Sequence, residues 1–367
     1  MSFKALWLKE YHQARWLMGA MLVTVPLYIA LTVMRQLEFV DLIVREGRPF
    51  GPPGPPYSID VGLPTFIIPV FLIALAAVQI GAERGRGLDH FTFSLPYARS
   101  TVFVTKWALG VVTIVVTLLV SALVASFLLA SSPYRADIVI TPDPGRYALQ
   151  MLAASLAMYT LAMFMGVIAG NAAFQVAFSV IFGIFPLGFV LLVGYSLVVH
   201  ADAFGVELWN IDPLETWGEW SVETLAPHLS VLLHFSNPPA TALGFMAWSF
   251  TSDWAEIGTL AAVDFMLTAL FLVGGVWLYG RNRLEYDGLM LVFPGARPLF
   301  IVGITGNFAL LGGLIAAFGS ADRYIDRYMG GARLLISYYV GALILGGLAY
   351  FFTKRFLRRP VAFPRKN

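Results

Sequence analysis

Few side chains in this sequence could do chemistry of their own. Asp264 is the one acid inside an otherwise uncharged stretch, 257–280. A carboxylate in lipid is costly and by default marks a functional position, here an ion-coupled transport path. A protonated Asp bonded to a neighbouring helix, or a shorter span that leaves it at the interface, are the plainer readings. The five histidines, at 12, 90, 200, 228 and 234, are scattered. His228 and His234 are six apart, a poor spacing for one helical side, so no metal site is expected there. There is no G-x-x-x-x-G-K-[ST], no H-E-x-x-H and no G-x-S-x-G. Cysteine is absent, which removes thiolate ligands and thiol nucleophiles. No catalytic pair stands within an apolar stretch, so the chain is not expected to be an enzyme, and it carries no expected cofactor of its own.

Two polar loops stand out instead. One reads Leu88-Asp89-His90-Phe91-Thr92-Phe93-Ser94-Leu95-Pro96-Tyr97-Ala98-Arg99, the other Tyr286-Asp287-Gly288-Leu289-Met290-Leu291-Val292-Phe293-Pro294-Gly295-Ala296-Arg297. At an offset of 198 residues they share Asp, then Pro seven positions later, then Ala-Arg. Asp suits a helix start and Arg its end, and Pro breaks the chain before the next apolar stretch. The second loop adds Glu285 to this pattern.

The elements that must carry these loops follow from composition. The chain has 367 residues, 58% hydrophobic and only 13% charged. Soluble proteins carry about 25% charge, so this one cannot cover a water-facing surface and is expected to be an all-α polytopic membrane protein. Uncharged stretches long enough to cross a bilayer are 16–34, 61–82, 107–134, 298–321 and 334–353. The run 147–201 divides at Gly170-Asn171 into two spans, about 148–169 and 173–199. With 257–280 this makes eight transmembrane helices. The stretch 224–252 is broken by Pro227 and Pro238-Pro239 and reads as an outer re-entrant hairpin.

Charge sorting supports eight spans. With a cytoplasmic N-terminus, 16 of the 24 basic residues and five of the 22 acids fall inside, and both termini are cytoplasmic. Counting 224–252 as a span would move Arg281 to Lys366 outside. The overall charge of +2 conceals this sorting and gives no sign of a nucleic-acid partner. Residues 1–15 precede the first span as an amphipathic segment, with Phe3, Leu6, Trp7, Tyr11 and Ala14 on one arc, Glu10 among them, and Lys4, Lys9, His12, Gln13 and Arg15 opposite. Such a helix is expected to lie in the headgroup plane as an elbow. The outer loop 36–63, with Gly51-Pro52-Pro53-Gly54-Pro55-Pro56, is expected to be an irregular connector. Residues 200–256, acidic and rich in Trp, are expected to cap the outer mouth. Gly166 with Gly170, and the pairs Gly312-Gly313 and Gly346-Gly347, suit close helix packing.

The run Gly81-Ala82-Glu83-Arg84-Gly85-Arg86-Gly87-Leu88-Asp89, with Ser94-Leu95-Pro96-Tyr97-Ala98-Arg99, resembles the loop between spans two and three of type-two ABC exporters. There it reads roughly E-R-x-x-G-T-L-x-x-L-L-x-x-P-v-s-R. Here Gly87-Leu88 lacks the intervening Thr, and Phe91 and Phe93 replace leucines. The elbow, six spans and broken outer hairpin fit that layout over 1–280. The extension 281–367, with the second loop, two more spans and a basic tail, resembles the permeases of Gram-positive antibiotic-stress and acetoin-type ABC systems. The resemblance implies a permease subunit in a prokaryotic cytoplasmic membrane, paired with a second permease copy or paralogue. Separate ABC ATP-binding subunits, which hold the ATP and Mg, would dock on its cytoplasmic loops. It implies a coupling loop at 83–102, with Glu83, Asp89, Phe91, Leu95, Pro96 and Arg99 as contacts. Glu285, Asp287, Pro294 and Arg297 would brace that loop or extend it. The apolar, aromatic spans favour export of a hydrophobic or amphipathic substrate. A secondary carrier using Asp264, and a membrane-embedded enzyme or assembly factor, are the alternatives.

Overall fold

A computed structural model describes residues 3–45, 57–60, 66–85, 92, 94, 96–135, 138–141, 144–205, 229–235, 254–282, 289–320 and 331–358. Lipid offers the backbone no hydrogen-bond partner, so an apolar crossing segment must satisfy its N–H and C=O groups within a helix. Among the described residues the chain does this eight times. The helices are α1 (Phe3–Arg45), α2 (Ile67–Gly85), α3 (Arg99–Ser131), α4 (Pro144–Ile168), α5 (Ala172–Ala203), α6 (Trp254–Gly280), α7 (Arg297–Ser320) and α8 (Gly331–Arg358). Each contains a window apolar and long enough to cross a membrane. The fold is thus an all-α polytopic membrane protein with the expected number of spans.

The helices are not equivalent. In α4 and α2, 78% and 67% of the apolar window is buried inside the protein, against 17% and 11% in α7 and α8. The first two therefore form the centre of the bundle. The last two turn Leu299, Val302, Ile315, Leu343, Ile344 and Phe351 outward, as a lipid-facing surface requires. The main core joins α1 to α6, with Leu72, Phe103, Ala157, Met158 and Tyr159 among its most buried members. A smaller cluster of Val199, Leu314, Ala317 and Tyr338 attaches the α7–α8 pair to α5. Tyr338 adds a hydrogen bond to Ser196 Oγ at 2.9 Å. Within that pair, a Cβ on Gly312 would lie 2.5 Å from the Gly341 carbonyl oxygen, so only glycine permits the approach.

α1 is one unbroken helix of 43 residues, about 64 Å long. The separate interfacial helix expected over 3–15 is instead the first part of this helix. No proline interrupts the ladder before Pro26, which lies well inside the apolar part. The arc read as membrane-facing packs against the bundle: Leu6 and Ala14 are 1% exposed and Glu10 is fully buried.

The loops gather at two ends. One end, the loop face, holds Gly85, Arg99, the 168–172 turn, Gly280 and Arg297. The other, the strand face, holds a pair of parallel strands, β1 (Tyr57–Asp60) and β2 (Ile138–Thr141), in the register Tyr57 with Ile138 through Asp60 with Thr141. Within the connector 36–63, residues 36–45 continue α1, and 57–60 form a strand that the sequence did not suggest, because its pairing partner lies some 80 residues away. Tyr134 donates to Asp41 Oδ1 at 2.5 Å and ties the end of α1 to the turn before β2.

Of the re-entrant stretch 224–252, residues 229–235 are described. They form a 3-10 turn, Val231–Phe235, that contacts α2, α4 and α5. Ser230, Val231, His234 and Phe235 are buried within the bundle. The rest of the expected outer cap, apart from the described ends of α5 and α6, lies outside the described residues.

Candidate functional site

The densest polar cluster sits at the loop face, where α1, α2, α3 and the first loop meet. α1 supplies Lys9 and Glu10, α2 ends in Glu83, α3 carries Lys106 and the loop supplies Thr92. Lys106 Nζ lies 2.5 Å from Glu10 Oε2 and 2.8 Å from Glu83 Oε2. Lys9 Nζ closes the ring, 2.6 Å from Glu83 Oε1 and 3.1 Å from Glu10 Oε1. Thr92 Oγ1 accepts from Lys9 at 2.6 Å and donates to Glu83 at 2.8 Å. Two lysines and two glutamates make the ring neutral. Lys106 and Glu10 have no exposed side-chain surface. A ring of this kind contributes little net stability against its desolvation cost, but it specifies geometry. Removing one member leaves a buried charge unpaired, at about 3–5 kcal/mol.

A second layer holds the ring's backbone. Gln79 donates to the Lys106 carbonyl at 3.2 Å, and the Tyr159 hydroxyl donates to Gln79 Oε1 at 2.5 Å. α2 widens into a π-turn at Ala77–Gly81, just before Glu83. The Gly81 N–H donates to Gln175 Oε1 at 3.0 Å, and Gln175 Nε2 in turn donates to the Ala162 carbonyl at 3.0 Å. One glutamine thus joins α2, α4 and α5.

Arg84 points the other way along the same loop face. Its guanidinium donates to the carbonyls of Gly166 at 2.8 Å, of Val167 at 3.4 Å, and of Ala169. These are orphan carbonyls at the C-terminus of α4, where a cation also suits the helix dipole. The second loop covers the same turn. Val292 N–H donates to the Ile168 carbonyl at 2.9 Å, and Leu291 forms an antiparallel bridge with Ala169. Arg99 Nη1 donates to the Asn282 carbonyl at 2.5 Å. Both polar loops and the α4–α5 turn are therefore one connected surface. Gly166 and Gly170 serve it inside the chain. A Cβ on the first would meet Gln175, and one on the second would meet the Leu289 backbone.

The residues singled out from sequence have distinct fates. Glu83 is 3% exposed and both its oxygens are spent on Lys9 and Lys106, so its carboxylate faces inward. Pro96 is exposed, and Arg99 is half-buried against Asn282. Pro294 is exposed and Arg297, half-buried, opens α7. Asp89, Phe91, Leu95, Glu285 and Asp287 lie outside the described residues. Sequence reasoning missed Lys9, Glu10, Thr92 and Lys106. Glu10 did carry a signal, an acid set among the apolar residues of its arc.

Asp264 gains a partner that the sequence did not offer. Fully buried in α6, it accepts from His234 Nδ1, which lies 3.0 and 3.1 Å from its two oxygens. Thr268 caps the Asp264 carbonyl at 2.8 Å. The pair joins a span to the 3-10 turn. Among the described residues no three His, Asp or Glu side chains are grouped to hold a metal.

No protein-family model matches this chain, and no solved structure does. Two proteins of Bacillus subtilis (strain 168) are similar to it. "Probable ABC transporter permease YtrD" is 28% identical over 263 residues, 68% of this chain and 70% of that protein. "Probable ABC transporter permease YtrC" is 30% identical over 168 residues, 45% of this chain and 47% of that protein. Eight apolar spans among the described residues make the chain a multi-pass membrane protein, and over about two thirds of its length it is similar to a probable ABC transporter permease.

Proposed function

We propose that the chain is the membrane subunit of an ATP-driven transporter. Separate ATP-binding subunits seat on its loop face, and a hydrophobic or amphipathic molecule is exported. In this reading both termini are cytoplasmic, the ATP and Mg belong to the partner, and a second permease copy or paralogue completes the path. The observation that carries it is the link from the first loop into three helices. Thr92 is bonded to Lys9 and Glu83, which are bonded in turn to Lys106 and Glu10.

A partner pushing on that loop cannot move it alone. The buried ring passes displacement to the loop-face ends of α1, α2 and α3, because each member must follow its counter-charges or be left unpaired. Arg84 and Arg99 extend the connection to α4 and to the end of α6. Exposed Pro96 and Pro294 lie on the surface where contact would be made. ATP hydrolysis and transport are then chemistry and motion divided between two chains.

The test is purification of the tagged chain from its native membrane. An ATP-binding subunit should accompany it, with vanadate-sensitive ATP turnover that deletion of 88–99 abolishes. A lone chain that transports in response to an ion gradient would overturn the reading and favour a carrier working through Asp264.

A further inference from the structure

Residues 229–235 are seated in a place shaped for them. Non-helical backbone survives at membrane depth only where protein or a water-filled cavity surrounds it. Here α2, α4 and α5 supply the surroundings. Gly183 admits Leu232, whose Cβ would lie 3.1 Å from a Cβ at that glycine. Three residues on, Pro186 has no N–H, and the next N–H, of Leu187, donates to Ser230 Oγ at 2.9 Å. At the other end of the turn His234 is bonded to Asp264 of α6. The turn therefore has two polar anchors, Ser230 to α5 and His234 to α6, and Val231 and Phe235, each next to one of them, are buried at 1% exposure each.

The two anchors differ in kind. The Ser230 bond repairs an interrupted helix. A buried His–Asp pair adds little net stability, and setting registry or operating a switch is the best-attested use of such pairs. Asp264 lies ten residues from Trp254 and sixteen from Gly280 in α6, about 15 and 24 Å, which puts the pair in the strand-face half of the bundle. In secondary transporters, discontinuous helices near the bilayer midplane form the substrate site. We propose that His234 and Asp264 form a latch and that residues 230–235 are the stopper it holds in the strand-face half of the transport path. The stopper role rests on the transporter reading above; the latch does not. Release parts the imidazole from the carboxylate and lets the turn withdraw from its seat against α2, α4 and α5.

The natural absence of cysteine makes a direct test simple. Val231→Cys introduces one buried thiol; where that variant is poorly recovered, Phe235→Cys, equally buried, replaces it. Proteoliposomes are treated with a hydrophilic maleimide. Alkylation should be slow with the latch intact and at least tenfold faster when His234→Leu or Asp264→Asn is added. A control thiol at fully buried Ala154 in α4 should stay slow in both. Unchanged labelling at 231 overturns the latch. A parallel rise at 154 overturns it too, since the pair would then hold the whole bundle. With the copurified ATP-binding subunit, ATP and vanadate should change labelling at 231 at least fivefold without any latch substitution. Accelerated labelling in the latch variants but none with ATP would sink the stopper and leave the latch. Failure of any ATP-binding subunit to copurify would count against the transporter reading instead.

Discussion

Lys106 and Glu10 meet at 2.5 Å across 96 residues of sequence, and neither side chain has any exposed surface. One stands near the start of α3, the other on the face of α1 that otherwise carries Leu6 and Ala14. Together with Lys9 and Glu83 they turn three helix ends and a loop into one mechanical unit.

Breaking that unit should be costly and coupled. Lys106→Met should lower stability by about 3–5 kcal/mol, because two carboxylates lose a buried counter-charge. Lys106→Met combined with Glu10→Gln should cost less than the sum of the two single changes, since the partners share one interaction. Thermal unfolding in detergent measures both. Strict additivity would mean that the ring is not a unit.

Thr92 connects the loop to the ring without bearing charge. Thr92→Val keeps its shape and removes its donation to Glu83 and its acceptance from Lys9. In the complex with its ATP-binding partner, transport per ATP hydrolysed should fall roughly tenfold, the equivalent of one charge-assisted hydrogen bond. Stability should fall as well, by about 1.5–3 kcal/mol for hydrogen bonds to charged groups. Undiminished coupling would show that the loop drives the helices by another route.

Arg84 should act locally. Arg84→Ala removes the donor that satisfies the last carbonyls of α4, at about 1.5–3 kcal/mol for hydrogen bonds from a charged group. Amide hydrogen exchange across residues 166–171 should accelerate while exchange in α7 and α8 stays unchanged. Arg84→Lys should rescue only part of this, because an ammonium cannot span several carbonyls at once.

The glycines separate by neighbour, not by spacing. Gly312→Val should force α7 away from α8 and cost about 1–3 kcal/mol by overpacking. Gly347→Ala has nothing within 4 Å of the new methyl and should be neutral or stabilising by up to about 1 kcal/mol through helix propensity. A thermal melt of each distinguishes them, and equal effects would contradict the packing described.

Much of the architecture was legible because lipid leaves a chain few options. Lengths of uncharged sequence became spans: 148–169 and 173–199 were expected where Pro144–Ile168 and Ala172–Ala203 stand. The Gly170-Asn171 turn was visible for the same reason, and Asn171 caps α5 by accepting from the Phe174 N–H at 3.0 Å. Where the reading went astray, a local pattern had two solutions. The arc from Leu6 to Ala14 could face headgroups or protein, and only the ion pairs with Lys106 and Lys9 make a buried Glu10 tolerable. The loop motif containing Glu83 and Arg84 gave no sign of the direction in which those side chains turn.

By itself, then, the sequence determined the membrane class and the eight spans among the described residues, because hydrophobicity and backbone satisfaction act within single segments. The partners of charged groups were decided only in three dimensions. Glu10 needed Lys106, Arg84 needed the end of α4, and Asp264 needed a histidine thirty residues earlier. A buried charge is permitted only where an opposite charge or a set of dipoles has been brought to it, and bringing them together is the work of the tertiary fold.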